Sequence, residues 1–277
     1  MIPTHTLNDG ATIPAIGFGT YPMRGEEAVA AVVDAVDVGY RLLDTAVSYG
    51  NEVEVGEGIR RCGVPREELF VTSKLPGRHH GYDDAVASTR ESLERLGLDH
   101  LDLHLIHWPN PGVGKYPEAW RALVDLQRDG LVRSIGVSNF TEAHLRRIID
   151  ETGVTPAVNQ IELHPYFPQP EMRRVDQGLG ILTESWSPLG KRQAPFEEPP
   201  VAEAASAHGV SPAQVILRWQ VQLGCVPIPK SAGRDRQAVN LAVFDFELSD
   251  DEVEAITALG RPDGRLFGGD PDTHEEM

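Results

Sequence analysis

Short apolar runs alternate along this chain with longer stretches in which apolar residues recur at helical spacing. A small hairpin comes first, with an Asp9-Gly10 turn inside the alternating run 7–13. The segment 16–21 reads as a glycine-punctuated strand, and 26–38 as a helix stopped by Gly39. The run 40–43 is a strand ending on Asp44. A polar turn carrying Tyr49 follows, then a helix over 51–61 that Gly63 and Pro65 close. Further strands are expected at 69–73, 101–106, 132–137, 157–161, 181–184 and 225–227. Helical spacing covers 83–96, 117–128, 141–151, 171–177, 201–208 with 212–223, and 234–240. Counted from Ile16, this makes eight strands, each with a helical pattern after it.

Continuous apolar strands between amphipathic helices imply an α/β fold with a parallel sheet covered by helices. Eight units in 277 residues favour a (β/α)8 TIM barrel, with the N-terminal β-hairpin in front and a short C-terminal tail behind. No GxGxxG run follows the first strand, which argues against a doubly wound dinucleotide fold. No composition break divides the chain, so residues 1–277 are expected to form a single domain. The irregular stretch 189–200 follows a strand end and is expected to be a functional flap. Beyond a last helix at 250–259, the Gly/Asp/Pro-rich tail is expected to be mobile unless a ligand orders it.

Charge narrows the partners. With 42 acidic against 25 basic residues the formal charge is −17, which disfavours nucleic acid and anionic membrane. The two cysteines, Cys62 and Cys225, form no CxxC pair, and a reducing compartment fits them. The first residues carry no basic-then-apolar leader, and no apolar stretch reaches membrane-spanning length. A cytoplasmic monomer acting on a small molecule is the expectation. His79, His80 and His164 lack HxH or HExxH spacing, so no metal site is expected.

The candidate chemistry lies at strand ends. Lys74, one of only four lysines, closes the apolar run 70–73, a costly place for an ammonium without a carboxylate. Asp44 at the neighbouring strand end is the available partner, in an ion pair that is either purely structural or functional. His107 ends a third strand, and alone reads equally as a core histidine. His104, an odd number of residues away, should face the helices. Tyr49 alone would be a half-buried loop aromatic, and Asp44 a helix cap. Together the four residues make a site that protonates an oxygen as negative charge develops on it. An ammonium about 4 Å from the tyrosine, at an effective dielectric of about 20, favours phenolate by roughly 4 kcal/mol before desolvation is subtracted. Such a site supplies no hydride, so a cofactor must.

The stretch Gly39-Tyr40-Arg41-Leu42-Leu43-Asp44-Thr45-Ala46, with Glu52 and Val55-Gly56, resembles the first signature of the aldo-keto reductase superfamily. Arg133-Ser134-Ile135-Gly136-Val137-Ser138-Asn139-Phe140 is similar to the second, and Ile228-Pro229-Lys230-Ser231 with Arg236 and Asn240 to the third. The short tail and the run 186–190 resemble the 2,5-diketo-D-gluconate reductase group within it. The resemblance implies NADPH-dependent reduction of a carbonyl, with Tyr49 as general acid/base, Lys74 and Asp44 tuning it, and His107 orienting the carbonyl. It implies NADPH extended across the barrel mouth. Ser138, Asn139 and Gln160 would hold the carboxamide, and Trp186 would stack on the nicotinamide. Ser187, Leu189 and Gly190 would meet the pyrophosphate, Lys230, Ser231 and Arg236 the 2′-phosphate, and Asn240 the adenine. Val239 departs from the motif, which usually carries a small or polar residue there. Tyr21, Trp108 and Asn110, with the tail near Leu266 and Phe267, would line the substrate pocket. The alternative within the same resemblance is a non-catalytic NADP(H)-binding, redox-sensing subunit.

Overall fold

The computed structural model describes residues 2–276. Two short strands, β1 (Thr4–Thr6) and β2 (Thr12–Pro14), pair antiparallel around the Asp9-Gly10 turn. Eight strands follow in one parallel sheet: β3 (Phe18–Gly19), β4 (Leu42–Asp44), β5 (Phe70–Leu75), β6 (Leu101–Ile106), β7 (Val132–Ser138), β8 (Val158–Glu162), β9 (Leu182–Trp186) and β10 (Val226–Pro227). Their spatial order is their order in the chain, with a crossover that carries a helix between each pair of parallel neighbours. The helices are α1 (Gly25–Val38), α2 (Glu52–Arg61), α3 (Tyr82–Leu96), α4 (Tyr116–Arg128), α5 (Glu142–Thr152), α6 (Pro170–Leu179), α7 (Pro199–His208), α8 (Pro212–Gln222), α9 (Arg234–Leu241) and α10 (Asp250–Thr257).

The sheet curls until its edges meet. Gly17 N–H donates to Pro227 O and Gly19 N–H to Pro229 O, each at 3.0 Å. A Cβ on Gly19 would lie 3.3 Å from Ile228 O, so glycine is what lets the two backbones come this close. The arrangement is consistent with a (β/α)8 fold.

Side-chain alternation explains where polarity collects. Leu42, Phe70, Leu103, Leu105, Val158, Val226 and Ile228 form one buried cluster inside the sheet, joined by Leu7 and Ile13 of the hairpin. Residues of opposite parity, such as Leu43, Val71 and Ile106, join the larger cluster under the helices. The apolar interior positions give way to Asp44, Lys74 and Gln160 toward the carboxyl ends of β4, β5 and β8.

Four expectations need revision. The strand expected over 16–21 pairs only at Phe18–Gly19, and that over 40–43 begins at Leu42, because Tyr40 N–H is spent on Ala35 O at the end of α1. The flap at 189–200 is partly a single helical turn, Lys191–Gln193. The tail is docked rather than loose. Leu266 N–H donates to Glu162 Oε1 at 2.6 Å, and Thr141 Oγ1 to Asp272 Oδ1 at 3.1 Å. His274 packs on Trp108 with ring centroids 4.2 Å apart. Among the described residues no helix is long and apolar enough to cross a membrane.

Candidate active site

The four strand-end residues converge. Lys74 is wholly buried in β5, and its Nζ lies 2.6 Å from Asp44 Oδ1. The same ammonium donates to Thr45 O at 3.1 Å and to the Tyr49 hydroxyl at 3.2 Å, spending its three hydrogens. Glu52 braces β5 from outside, accepting from Ser73 Oγ at 2.6 Å and pairing with Arg95 at 2.7 Å. Tyr49 ends the one-turn helix Val47–Tyr49. Asn51 pins that turn, accepting from Thr45 Oγ1 at 2.8 Å and donating to Thr20 O and Met23 O. His107 directly follows β6, with its N–H on Leu75 O and its ring 5.8 Å from that of Tyr49.

Burial changes the expected electrostatics of Tyr49. The residue is half-buried, and desolvation raises its pKa. Lys74 pulls the other way, while Asp44 and Glu276 add to the rise. The pull of the ammonium expected from the sequence was that before desolvation is subtracted; desolvation is the larger influence, and Asp44, 2.6 Å from the ammonium, opposes that pull as well. Tyr49 thus stays a protonated acid near neutrality. Burial works against the Lys74 ammonium too, but Asp44 and Tyr49 more than restore it, and its pKa lies above the ordinary lysine value.

Two carboxylates in or beside the site escaped the sequence reading. Glu184, fully buried in β9, is pushed up to about 8 by burial and by the charge of Asp44. Gln160 bridges the two acids, with Nε2 2.9 Å from Asp44 Oδ2 and 2.9 Å from Glu184 Oε2. An acid two residues before Trp186, on the same strand face, was the available signal. Glu276 reaches the site from the tail, its Oε1 2.7 Å from His107 Nδ1. The contact is close, but its angle falls short of a good hydrogen bond. No local pattern announces it. His104 bonds Thr89 of α3 and Ser73 O, as its parity implies, and burial holds its imidazole neutral, down to about 4.

A cavity of about 710 Å³ opens over these groups. Tyr49, His107, Tyr21, Trp108, Asn139, Gln160, Trp186, Ser187, Leu189 and Lys230 line it, as does Phe267 from the tail. Lys191 stands over the rings of Phe267 and Tyr21. Ser138 lies behind the wall, donating to Gln160 O at 2.7 Å. Gly190 forms the turn after Leu189, and Asn240 is buried in α9. Asn110 is not among the residues that line the cavity. Its amide donates to Glu276 O at 2.7 Å and its carbonyl accepts Glu276 N–H at 3.1 Å, so both backbone groups of one tail residue are bonded to it.

The remaining hydrogen-bonding capacity fits a nicotinamide dinucleotide phosphate. Both amide hydrogens of Gln160 are taken by carboxyl oxygens of Asp44 and Glu184, leaving its carbonyl oxygen as an acceptor at the cavity. Asn139 spends its amide on His107 O and Ser138 Oγ, and its Oδ1 accepts from Trp186 Nε1 at 2.8 Å, fixing the indole. Arg236 Nε donates to Ser231 Oγ at 3.2 Å. Among the described residues neither Lys230 nor Arg236 has a carboxylate partner, although the chain carries −17. Such a pair of cations suits a phosphate.

Comparison with known proteins agrees with this geometry. The Aldo/keto reductase family model matches residues 15–195 and 197–261. A 2,5-diketo-D-gluconic acid reductase B of Corynebacterium sp. is 60% identical over 276 residues, covering 100% of this chain and 99% of that protein. The crystal structure of an aldo/keto reductase from Brucella melitensis is similar with a TM-score of 0.90 and 46% identity, covering 94% of this chain and 100% of the other. A Bombyx mori aldo-keto reductase in complex with NADP matches with a TM-score of 0.90 and 37% identity, over 96% and 95% of the two chains. On fold and sequence alike, the chain belongs to the aldo/keto reductase family.

Proposed function

We propose that the protein reduces aldehydes or ketones to alcohols with NADPH, α-dicarbonyls and keto-sugars among them. The observation that carries this reading is the Lys74 ammonium held between Asp44 and the Tyr49 hydroxyl at the wall of a cavity that His107 also lines. When bound, NADPH supplies the hydride. Tyr49 gives its proton to the carbonyl oxygen as charge develops there, and Lys74 stabilises the phenolate left behind. Asp44 keeps that lysine charged and in place. His107 offers the oxygen a second hydrogen bond and so sets its position. Trp186, held by Asn139, stacks on the nicotinamide, and Gln160 accepts from its carboxamide. Ser138 shapes that wall, Ser187, Leu189 and Gly190 follow the pyrophosphate, and Asn240 lies toward the adenine.

Lys230, Ser231 and Arg236 take the 2′-phosphate. Hydrogen bonds to charged groups contribute about 1.5–3 kcal/mol each, so two would favour NADPH by roughly 3–6 kcal/mol. Solvent exposure brings this to the low end, on the order of a hundredfold in kcat/KM over NADH. The backbone bonds from Gly17 and Gly19 to Pro227 and Pro229 support reading the sheet as a closed barrel and the chain as one domain. The unpaired cysteines and the acidic surface support a cytoplasmic enzyme with neither a nucleic-acid nor a membrane partner. We read it as a monomer, which sedimentation tests.

The deciding experiment follows NADPH consumption with a panel of aldehydes, α-diketones and keto-sugars, then repeats the best substrate with NADH. Turnover with NADPH about a hundredfold more efficient than with NADH is expected. No consumption with any carbonyl would return the redox-sensing subunit as the better reading.

A further inference from the structure

We propose that Lys191 is the anion-binding end of the substrate site and favours carbonyl substrates that carry a carboxylate several atoms from the reacting carbon. The inference deepens the reductase reading of the same cavity and rests on it.

The backbone itself places this cation. Gly190 turns at φ 73° and Lys191 follows at φ 50°, a left-handed conformation that a residue with a side chain adopts at a cost. From that turn, in the loop after β9, the side chain reaches the mouth of the cavity. Its Nζ lies 5.5 Å from the centre of the Tyr21 ring and 4.4 Å from that of Phe267, and all three residues line the cavity. Both rings attract the ammonium through their π faces, yet neither neutralises its charge. Tyr21 also stands beside the acid, with its ring 5.1 Å from that of Tyr49. The ammonium is thus one aromatic ring away from the group that meets the carbonyl oxygen.

Among the described residues no carboxylate pairs with Lys191. Glu162 is the acid whose charge reaches it, and Glu162 is spent on His164 at 2.9 Å and on Leu266 N–H at 2.6 Å. The other charged groups of the lining have their own roles: Asp44 holds Lys74, His107 lies against Glu276, and Lys230 belongs to the proposed 2′-phosphate site. In a chain of formal charge −17, a cation with only π faces beside it suits an anion that arrives with a ligand. Cofactor pyrophosphate and substrate carboxylate are the two candidates. The side chain leaves the run 187–190 toward Tyr21, beside Tyr49, which favours the carboxylate.

Spacing then sets the substrate class. A carboxylate bonded directly to the carbonyl carbon stays near Tyr49 and His107, a ring's width short of the ammonium. One carried across a benzene ring or along a few carbons spans the Tyr21 face and meets it. Lys191 is exposed, so solvent and salt screen the pairing and hold the gain to about tenfold.

The test uses two matched pairs with NADPH, 4-carboxybenzaldehyde and 4-oxobutanoate, each beside its methyl ester. The acid-to-ester ratio of kcat/KM cancels any effect common to both members. It should fall about tenfold in Lys191→Gln, through the KM of the acid, and return in Lys191→Arg. Added salt should lower the ratio of the unmodified protein more than that of Lys191→Gln. A ratio within about twofold of the original in Lys191→Gln would overturn the proposal. Weakened NADPH binding in that variant, with the ratio unmoved, would give the cation to the pyrophosphate instead. Reduction of uncharged carbonyls but of neither acid would overturn the proposal as well. If no carbonyl of any kind were reduced, it is the reductase reading itself that would fail.

Discussion

Each end of the sheet holds a buried aspartate bonded to cations, and the two serve different ends. At the amino ends of the strands, Asp102 accepts from Arg66 at 2.6 Å, Arg133 at 3.0 Å and Val71 N–H at 2.8 Å. Arg66 continues to Leu69 O and His100 O, so one carboxylate ties the starts of β5, β6 and β7 together. Both arginines reach solvent, and all their partners are structural. At the carboxyl ends, Asp44 meets a single lysine that water does not reach, and that lysine has a hydrogen left for Tyr49. An ion pair becomes chemical when its cation is dry and has a titratable neighbour. Spread over arginine forks at a wet rim, the same charge pairing only fastens strands.

The largest effect should come from removing the titratable neighbour. Tyr49→Phe keeps the ring and the ion pair, so NADPH affinity by fluorescence titration should hold while carbonyl reduction drops by about 10²–10⁴. Retention of most of kcat would make the carboxyl-end pair as structural as the other. Asp102→Ala probes the opposite end. It strands two guanidinium groups and the Val71 N–H, and should cost about 2–3 kcal/mol in a urea titration, with kcat/KM within twofold of the original. Loss of activity without loss of stability would dissolve the contrast.

The smallest effect concerns Glu184, the acid that only the carboxyl end carries. Its folded pKa of about 8 lies above its ordinary value of 4.5, so the folded state keeps a proton that the unfolded chain has released. Its contribution is therefore complete below about pH 4.5 and is lost as pH rises toward 8, on the order of 2 kcal/mol after relaxation. Urea midpoints should fall across that window, and Glu184→Gln should flatten the fall. Asp176, raised to about 7 by burial against only Asn159 and Thr183, accounts for the slope that remains. An unchanged slope in Glu184→Gln would mean Glu184 is ionised in the fold.

The elements legible in the sequence are those whose pattern repeats locally. The run 101–106 is a strand end to end, and Lys74 and His107 sit where strand parity and strand length put them. Asp44, Tyr49, Lys74 and His107 could be brought together because each closes or follows an apolar run, and parallel strands bring such ends side by side. The bond between Asn110 and Glu276 was not legible because Glu276 lies 166 residues away in a tail with no periodicity. Glu184 was passed over although it closes the strand expected at 181–184, because no partner for it is visible nearby in the chain. The sign of the Tyr49 shift needed burial and the Asp44–Lys74 distance, which no sequence supplies.

The bonds from Gly17 and Gly19 to Pro227 and Pro229 join the first strand of the sheet to the last. Every other pairing in the sheet links neighbours in the chain and can form as soon as its crossover helix exists. This one must bring together segments at nearly opposite ends of the polypeptide, with the largest loop-closure entropy in the sheet and no reward until both are present. During synthesis, a growing chain that has not reached residue 226 has no partner to offer the Gly17 and Gly19 amides. The nascent sheet is then an open arc with a bare edge at each side. The interior that Lys74 needs to stay dry is finished only when the eighth strand arrives.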